Sequence, residues 1–201
     1  MKVYWLDQMD SSVVSGTVVC LGMFDGVHLG HQALILEGER VAREKNLALC
    51  VHTYDILPIN FIHQADKAKE LTTLEEKLQL FEQLGVEITA IDRFNDQLLR
   101  MSGRAFFQQV VADKLNARHV VAGFNHRFGY KSDSGREELE ALCREHDMGL
   151  SIIPPVVTAS GDLVSSTAIR QAILEDDLPS AAKMLGRPVE QAMIEQVKGT
   201  N

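Results

Sequence analysis

One stretch of ten residues decides how this chain folds: Gly22-Met23-Phe24-Asp25-Gly26-Val27-His28-Leu29-Gly30-His31. The apolar run Thr17–Leu21 before it is typical of a buried strand, and a helical pattern begins at Leu29. Open α/β sheets bind nucleotides at such strand-to-helix turns, because the first N–H groups of the helix point at the ligand. The stretch therefore predicts an α/β fold with a phosphate-binding turn.

The residues of this turn suit the oxygen atoms of a polyphosphate. Gly22 and Gly26 lack a Cβ atom, so they can adopt positive φ angles and let a ligand approach the backbone. His28 and His31 are three residues apart, which places both imidazoles on one face of a helix. An ordinary structural turn stays open as an alternative. Half of a metal site is the weaker alternative, because the Glu of H-E-x-x-H is absent and no cysteine lies near.

The composition is that of a globular domain with an acidic surface. Of its 201 residues, 45% are hydrophobic and 24% charged, which suits one domain with its own core. The 20 basic and 28 acidic residues give a formal charge of −8, which argues against nucleic-acid binding. No apolar run has transmembrane or signal-peptide length, so we expect no membrane partner and a cytoplasmic location. Three cysteines without a C-x-x-C spacing predict no disulfide framework.

Strands and helices alternate along the rest of the chain. Strands are predicted at residues 17–21, 47–52, 86–91, 119–123 and 150–153. Helices are predicted at residues 29–45, 71–85, 103–116 and 137–146. Because parallel strands need such crossovers, the order predicts a doubly wound parallel sheet. Residues 1–10 are predicted to form a short first strand or an irregular N-terminal segment. Residues 59–69 have no clear hydrophobic period and are predicted to form a loop over the site.

A second polar segment follows the strand at residues 119–123. Asn125 lies there between Gly123 and Gly129, and its amide offers both a hydrogen-bond donor and an acceptor. Because parallel strands end at one edge of the sheet, this loop opens onto the same edge as the first turn. An ordinary polar loop is the alternative interpretation.

A third polar segment begins a helix near residue 165. Ser165 or Ser166 is a natural N-cap, with Thr167 and Arg170 in the turns that follow. Hydroxyl groups, free N–H groups and a guanidinium at a helix start can hold a phosphate. A plain capped helix is the alternative.

Together these segments resemble the FMN adenylyltransferase module of the bacterial bifunctional riboflavin kinase/FAD synthetases, in the H-x-G-H nucleotidyltransferase superfamily. Residues 22–31 match the extended signature G-x-F-D-G-V-H-L-G-H. Residues 123–129 resemble the family's G-x-N-F-x-F-G loop, residues 164–170 its I-S-S-T-x-x-R motif and residues 71–77 its L-T-T-L-E-E-K segment. The resemblance extends from about residue 17 to residue 188 and implies a Rossmann-like nucleotidyltransferase fold.

The resemblance implies an enzyme that transfers AMP from ATP, accompanied by Mg²⁺, to FMN, giving FAD and pyrophosphate. It implies catalytic roles for His28, His31, Asn125 and Arg170. It implies ATP or phosphate binding by Gly22, Phe24, Asp25, Gly30, Ser165, Ser166 and Thr167. It implies flavin binding by Asp55, Asn125, His126 and Phe128. The sequence shows no cluster of metal ligands, so Mg²⁺ is inferred from the reaction and the residues that would hold it are left unassigned.

Two departures from the family pattern keep other functions open. Ile56 and Leu57 replace the Pro and His of the family's T-F-D-P-H-P-like run, and His126 stands where Phe is common. The acceptor could then be another phosphate monoester, such as nicotinamide mononucleotide, phosphopantetheine or a glycerol phosphate. A non-catalytic nucleotide- or flavin-binding protein is a further alternative.

The resemblance also divides the chain into a domain and a tail. Residues 1–186 are assigned to the nucleotidyltransferase domain. Residues 185–188 resemble the family's link into its riboflavin kinase domain, so residues 187–201 are assigned to a C-terminal tail that begins that missing domain. Thirteen residues follow Pro188, too few for a kinase barrel, and we therefore expect no riboflavin kinase activity.

Overall fold

A computed structural model describes residues 1–9, 12, 16–62 and 68–199, in which six strands form one parallel sheet. The spatial order is β1-β4-β3-β2-β5-β6, and all pairs are parallel. The strands are β1 (Lys2–Trp5), β2 (Thr17–Leu21), β3 (Ala48–Tyr54), β4 (Ile88–Asp92), β5 (Ala117–Gly123) and β6 (Gly149–Ile153). The predicted doubly wound parallel sheet is confirmed, and the N-terminal residues form a short edge strand.

Helices connect and cover these strands. They are α1 (Leu29–Lys45), α2 (Pro58–Ile62), α3 (Leu74–Gln83), α4 (Asp96–Leu99), α5 (Gly103–Phe106), α6 (Arg136–Glu145), α7 (Ser166–Leu174), α8 (Leu178–Leu185) and α9 (Gln191–Lys198). No helix in this described part of the chain is long and apolar enough to cross a membrane.

Two predicted elements differ in detail from the structure. The helix predicted at residues 103–116 is α-helical only at its start and continues as a π-helix, Phe107–Lys114. Apolar spacing does not separate these two hydrogen-bonding patterns, because both bury one face of the segment. The loop predicted at residues 59–69 contains most of α2, and its residues 63–67 lie outside the described part of the chain.

Side chains alternate between the two faces of the sheet along each strand. Helices cover both faces, so the sheet is buried on both sides. From β2, Val18 and Cys20 pack with Ile35 of α1 and Phe81 of α3. On the opposite face, residues such as Val19 and Leu21 pack with apolar side chains of α5, the π-helix and α6. The fully buried pattern of β2 is what the uninterrupted apolar run predicts.

Local signals in the sequence define several helix ends. Thr73 and Glu76 form a capping box: the Glu76 N–H donates to Thr73 Oγ1 (3.2 Å) and the Thr73 N–H to Glu76 Oε2 (2.7 Å). Asn46 ends α1 in the left-handed conformation, with φ 52°. Ser165, one of the two predicted candidates, is the N-cap of α7.

The order of the strands reverses beside β2. The chain moves from β2 to β3 and β4 on one side, and β5 and β6 lie on the other side. The carboxyl ends of β2 and β5 therefore lie next to each other at the switch point, where open α/β sheets bind ligands. This places the turn after Leu21 beside the loop after Gly123.

The last three helices form a separate apolar cluster at this edge. Met193 and Val197 of α9 are buried in it with Ile169 and Ile173 of α7. The segment assigned from sequence to a tail thus packs against the domain as far as the structure describes it. The division at residue 186 stays a prediction.

Gly38 permits the close packing of α1 on the sheet. A Cβ atom there would lie 2.5 Å from Cys20 Sγ and 2.8 Å from Leu49 Cδ1. We expect Gly38→Ala to lower the free energy of unfolding by about 1–3 kcal/mol, because overpacking exceeds the gain of about 1 kcal/mol in helix propensity.

Urea titration measures this effect, with Leu36→Ala on the exposed side of α1 as the control. The control should change stability by less than about 1 kcal/mol. A Gly38→Ala protein as stable as the wild type would contradict the close packing.

Candidate active site

The turn between β2 and α1 has a strained backbone. Phe24 and Val27 have φ angles of 53° and 40°, and Gly26 has a φ angle of 80°. Positive φ is rare outside glycine and is a true outlier for a β-branched residue such as Val27. Strained conformations of this kind persist only where surrounding contacts fix them, and they concentrate at functional sites.

Asp25 ties this turn to distant parts of the chain. Its Oδ1 accepts hydrogen bonds from the N–H groups of Leu71 (2.8 Å) and Thr72 (3.4 Å), and its Oδ2 pairs with Arg170 of α7. The N–H of Gly26 donates in turn to Thr72 Oγ1 (2.9 Å). Burial raises the pKa of the Asp25 carboxyl, while Arg170 and the Leu71 N–H act in the opposite direction. These buried contacts connect the turn to the segment at residues 71–72 and to α7.

The two histidines lie face to face at the start of α1. Their ring centroids are 3.6 Å apart with an interplanar angle of 14°, which confirms that they share one helix face. His28 is the N-cap, and its Nδ1 accepts from the His31 N–H (3.3 Å). In the neutral ring the proton of His28 therefore lies on Nε2, which can donate to a ligand.

Both imidazoles are neutral at pH 7. Burial, with a smaller contribution from the charges of Arg187 and Arg170, lowers the pKa of His28 to about 4. Burial and the neighbouring His28 and Lys77 hold the pKa of His31 well below its usual value. His28 therefore offers a neutral N–H donor rather than a positive charge to a ligand.

Gly30 allows His28 to occupy this position. A Cβ atom on residue 30 would lie 3.1 Å from Cε1 and 3.2 Å from Nδ1 of the His28 ring. These distances are shorter than ordinary contacts, so a side chain would push the imidazole by a few tenths of an ångström. The H-x-G-H spacing thus has a steric reason in this structure.

A small cleft opens at the N-terminus of α1. It has a volume of about 120 Å³, and its polar lining includes His28, Asn125 and Ser165 together with Gly30. Ser165 caps α7 by accepting from the Ala168 N–H (3.1 Å). Polar residues from three separate segments of the sequence therefore meet at one cleft, whose remaining lining is largely apolar.

A larger cleft of about 440 Å³ lies on the other side of Asn125, which lines both clefts. Its lining is largely apolar and aromatic and includes Tyr54, Phe94, Phe106 and Phe128. Gly22 and Met23 of the strained turn also line it. The shape and lining suit a large aromatic ring with a polar group directed at Asn125.

His126 lies in the wall of this larger cleft. Its ring stacks on Phe128, with centroids 5.7 Å apart and an interplanar angle of 20°. Burial lowers its pKa to about 4, and its buried Nε2 has no hydrogen-bond partner among the described residues. A buried nitrogen without a partner costs about 1–3 kcal/mol, so a ligand that bonds to it is favoured.

Two predicted binding residues, Phe24 and Asp55, make their contacts within the protein rather than in a cleft. The Phe24 ring is wholly buried and packs edge-on against Phe81, with centroids 5.3 Å apart. Asp55 Oδ1 accepts from the N–H groups of Ile56 and Phe94, both at 2.9 Å. In this structure Phe24 and Asp55 thus have packing and hydrogen-bonding partners within the protein, and their binding roles stay predictions.

The third motif divides its residues between the cleft and the turn. Ser166 Oγ donates to the carbonyl of Asp25 (2.8 Å), and Arg170 Nε donates to the carbonyl of Lys69 (2.5 Å). Thr167 is exposed in the first turn of α7. Ser165 alone of these residues lines the small cleft, and the roles predicted for the others stay predictions.

Sequence reasoning missed two cations near the turn, one buried and one partly buried. Lys77 of α3 is 1% exposed and donates to the carbonyl of Tyr54 (3.2 Å), and burial lowers its pKa. Arg187, assigned from sequence to the tail, donates to the carbonyls of Gly26 (2.8 Å) and Val27 (3.4 Å). No spacing signal identifies Arg187, because it lies about 160 positions along the chain from its partners.

The described residues contain no group of three or more His, Cys, Asp and Glu side chains that could hold a metal ion.

The lowered histidine pKa values predict that acid destabilises the protein. The unfolded chain binds protons near pH 6.5 and buried His28 only near pH 4, so unfolding takes up protons between these values. The free energy of unfolding should fall by about 1–3 kcal/mol for this residue as pH decreases from 6.5 to 4.

Urea titrations at several pH values measure this loss. His28→Asn keeps an N-cap side chain but removes the titrating group, so it should lose less stability on acidification than the wild type. Identical pH dependence in the two proteins would show that His28 is not a buried neutral imidazole.

Comparisons with known proteins support the same family. The sequence model described as FAD synthetase matches residues 10–168. A bifunctional riboflavin kinase/FMN adenylyltransferase of Listeria monocytogenes is 39% identical over 173 residues, which are 85% of this chain and 54% of the relative. A Geobacillus thermodenitrificans protein described as a putative enzyme of the same name is 33% identical. The match covers 99% of that protein and 94% of this chain.

A solved structure shows the same fold. The crystal structure of a Streptococcus pneumoniae protein described as a macrolide-efflux protein has a TM-score of 0.80 and 30% identity, and covers 94% of this chain and 61% of that one. The chain spans about half the length of relatives such as the Listeria enzyme. The family match covers most of the sequence, including the strained turn and both clefts, and shows that this chain belongs to the FAD synthetase family.

Proposed function

We propose that the chain is an FMN adenylyltransferase, which converts FMN and MgATP into FAD and pyrophosphate. The observation that carries this proposal is the meeting of two clefts at Asn125. The small cleft presents hydrogen-bond donors suited to phosphates, and the large cleft is lined by aromatic rings suited to a flavin. Two phosphate-bearing substrates bound there would bring their phosphates together beside one amide side chain.

The reaction needs no covalent intermediate with the protein. A phosphate oxygen of FMN forms a bond to the α-phosphorus of ATP, the bond to the bridging oxygen breaks, and its electron pair leaves with pyrophosphate. The protein then contributes alignment of the two substrates and stabilisation of the charge that develops on the leaving group. In this proposal Asn125 positions the reacting phosphates.

The ATP side of the proposal rests on the small cleft. His28 donates its Nε2–H to the departing pyrophosphate, supported by the stacked His31. Ser165 and Thr167 hold the triphosphate at the start of α7, and Gly22 and Gly30 allow its close approach to the backbone. Mg²⁺ enters with ATP as part of the substrate, held by phosphate oxygens.

Three predicted ATP-binding residues and one predicted catalytic residue, Arg170, act through the turn. Asp25, Ser166 and Arg170 hold its backbone in place, and Phe24 fills the core beneath it. On the flavin side, His126 and Phe128 form the wall of the large cleft. Asp55 orders the loop that carries Phe94.

The first test mixes the purified protein with FMN, ATP and Mg²⁺ and follows FAD by chromatography. We expect FAD and pyrophosphate in equal amounts from FMN, and riboflavin is tested as a parallel substrate. Other phosphate monoesters and MgCTP serve as alternative substrates. Product from one of these but not from FMN would replace the proposed acceptor, and ATP binding without pyrophosphate release would favour a binding role.

The His28→Asn variant tests the catalytic donor. It should lower kcat by about 10²–10⁴-fold, because it removes the Nε2–H that stabilises the leaving group. The N-cap is kept, so the circular dichroism spectrum should not change. Wild-type turnover in the folded variant would remove His28 from the mechanism.

The His126→Phe variant tests the flavin side. Phenylalanine keeps the stacking on Phe128 but removes the buried nitrogen. We expect the KM for FMN to rise about 5- to 30-fold, equivalent to one lost hydrogen bond, with an unchanged KM for ATP.

His146→Phe is the matched control, since this ring packs against Phe107 outside both clefts. It should leave both KM values unchanged. An unchanged KM for FMN in His126→Phe would mean that the nitrogen of His126 makes no bond to the flavin.

A further inference from the structure

Side chains from the C-terminal part of the protein cap three consecutive carbonyl groups of the strained turn. Ser166 Oγ donates to the Asp25 carbonyl (2.8 Å). Arg187 donates from Nη2 to the Gly26 carbonyl (2.8 Å) and from Nη1 to the Val27 carbonyl (3.4 Å). One guanidinium therefore fixes the planes of two adjacent peptide groups.

These two peptide groups belong to the strained part of the backbone. Gly26 and Val27 both have positive φ, and Val27 is the β-branched outlier. The Val27 carbonyl also accepts from Gln32 Nε2 (2.9 Å), which bonds at the same time to the Leu185 carbonyl (3.0 Å). Residues near the end of α8 thus contact both strained peptide groups, directly through Arg187 and indirectly through Leu185 and Gln32.

The end of α8 is shaped to place Arg187 under the turn. Gly186 ends the helix with φ 72°, and a Cβ atom there would lie 2.5 Å from Leu29 Cδ2 of α1. The chain thus crosses directly against the first residue of α1. Arg187 is partly buried at this crossing, with the charges of Glu190 and Glu76 near its guanidinium.

We propose that Arg187 is a positioning residue for adenylyl transfer, which fixes the strained turn and so sets the position of His28 against the phosphates of ATP. The proposal rests on the function proposed above. Arg187 lines neither cleft, so its effect on the reaction passes through the turn.

The charge of Arg187 has a second consequence at His28. The charged groups that act on His28 are Arg170 on α7 and Arg187 after α8, and the ionisable ring of His31 on α1 is stacked against it. Both guanidinium charges disfavour the imidazolium form and, after burial, help to lower the pKa of His28 to about 4. Removal of the Arg187 charge should raise this pKa, so that the variant loses its neutral donor at a higher pH than the wild type.

Two variants of Arg187 separate its hydrogen bonds from its charge, and a third variant is the control. Arg187→Met removes both, and Arg187→Lys keeps the charge without the two-pronged contact. Arg43→Met is the matched control, because Arg43 is 80% exposed at the far end of α1 and pairs with Glu39. Circular dichroism and urea titration establish that each variant is folded.

For Arg187→Met we expect kcat to fall about 10- to 100-fold, as for the loss of a charged hydrogen bond, with the KM for FMN within about two-fold of the wild type. In the pH profile of kcat, the loss of activity on the acid side should move to higher pH. Arg187→Lys should recover part of kcat and keep the acid side of the wild-type profile, and Arg43→Met should match the wild type throughout.

NMR titration of the His28 ring without substrates separates this proposal from the proposed function. Failure of the wild type to form FAD would refute the function alone, and the titration would still decide the position of Arg187 relative to His28. A raised pKa of His28 in Arg187→Met, but not in Arg187→Lys, supports the proposal. An unchanged pKa together with wild-type kcat in folded Arg187→Met would overturn it.

Discussion

The site depends on a turn whose strained backbone would relax without its contacts to the rest of the protein. Phe24 and Val27 are held at positive φ between the central strand and the first helix, and the strain is opposed by contacts from far along the chain. The buried Asp25 carboxylate anchors one side, and side chains of α7 and of the segment after α8 cap the carbonyl groups on the other. The C-terminal helices therefore do more than cover the sheet, because they fix the geometry at the N-terminus of α1.

Electrostatics at this turn favour neutral donors beside fixed cations. His28 and His31 are kept uncharged by burial, while Arg170 and Arg187 carry the positive charge of the site and are bonded to the turn itself. Such an arrangement suits a reaction without a covalent intermediate, since preorganised dipoles stabilise developing charge with little rearrangement. The reversal of strand order beside β2 then brings Asn125 to the boundary of the two clefts.

The fold could be predicted from the sequence because its signals are local. The apolar runs, the Thr73 capping box and the Asn46 helix end each lie within a few residues, and all are present in the structure. The motifs also indicated which loops meet at one sheet edge. They could not separate Ser165, which faces a cleft, from Ser166, which caps a carbonyl, since one residue of helical rotation decides this. Arg187 was unpredictable for a different reason: its partners are brought to it only by the packing of α8 against α1.

A crystal structure of the protein with FMN, Mg²⁺ and a non-hydrolysable ATP analogue tests the central claim most directly. The account predicts the triphosphate against the start of α1, with an oxygen about 3 Å from His28 Nε2, and the flavin ring in the larger cleft. The phosphates of the two ligands should meet beside Asn125, and the contacts of Asp25 and Arg187 with the turn should be unchanged. Nucleotide bound away from α1, or a turn released from these contacts in the ternary complex, would contradict it.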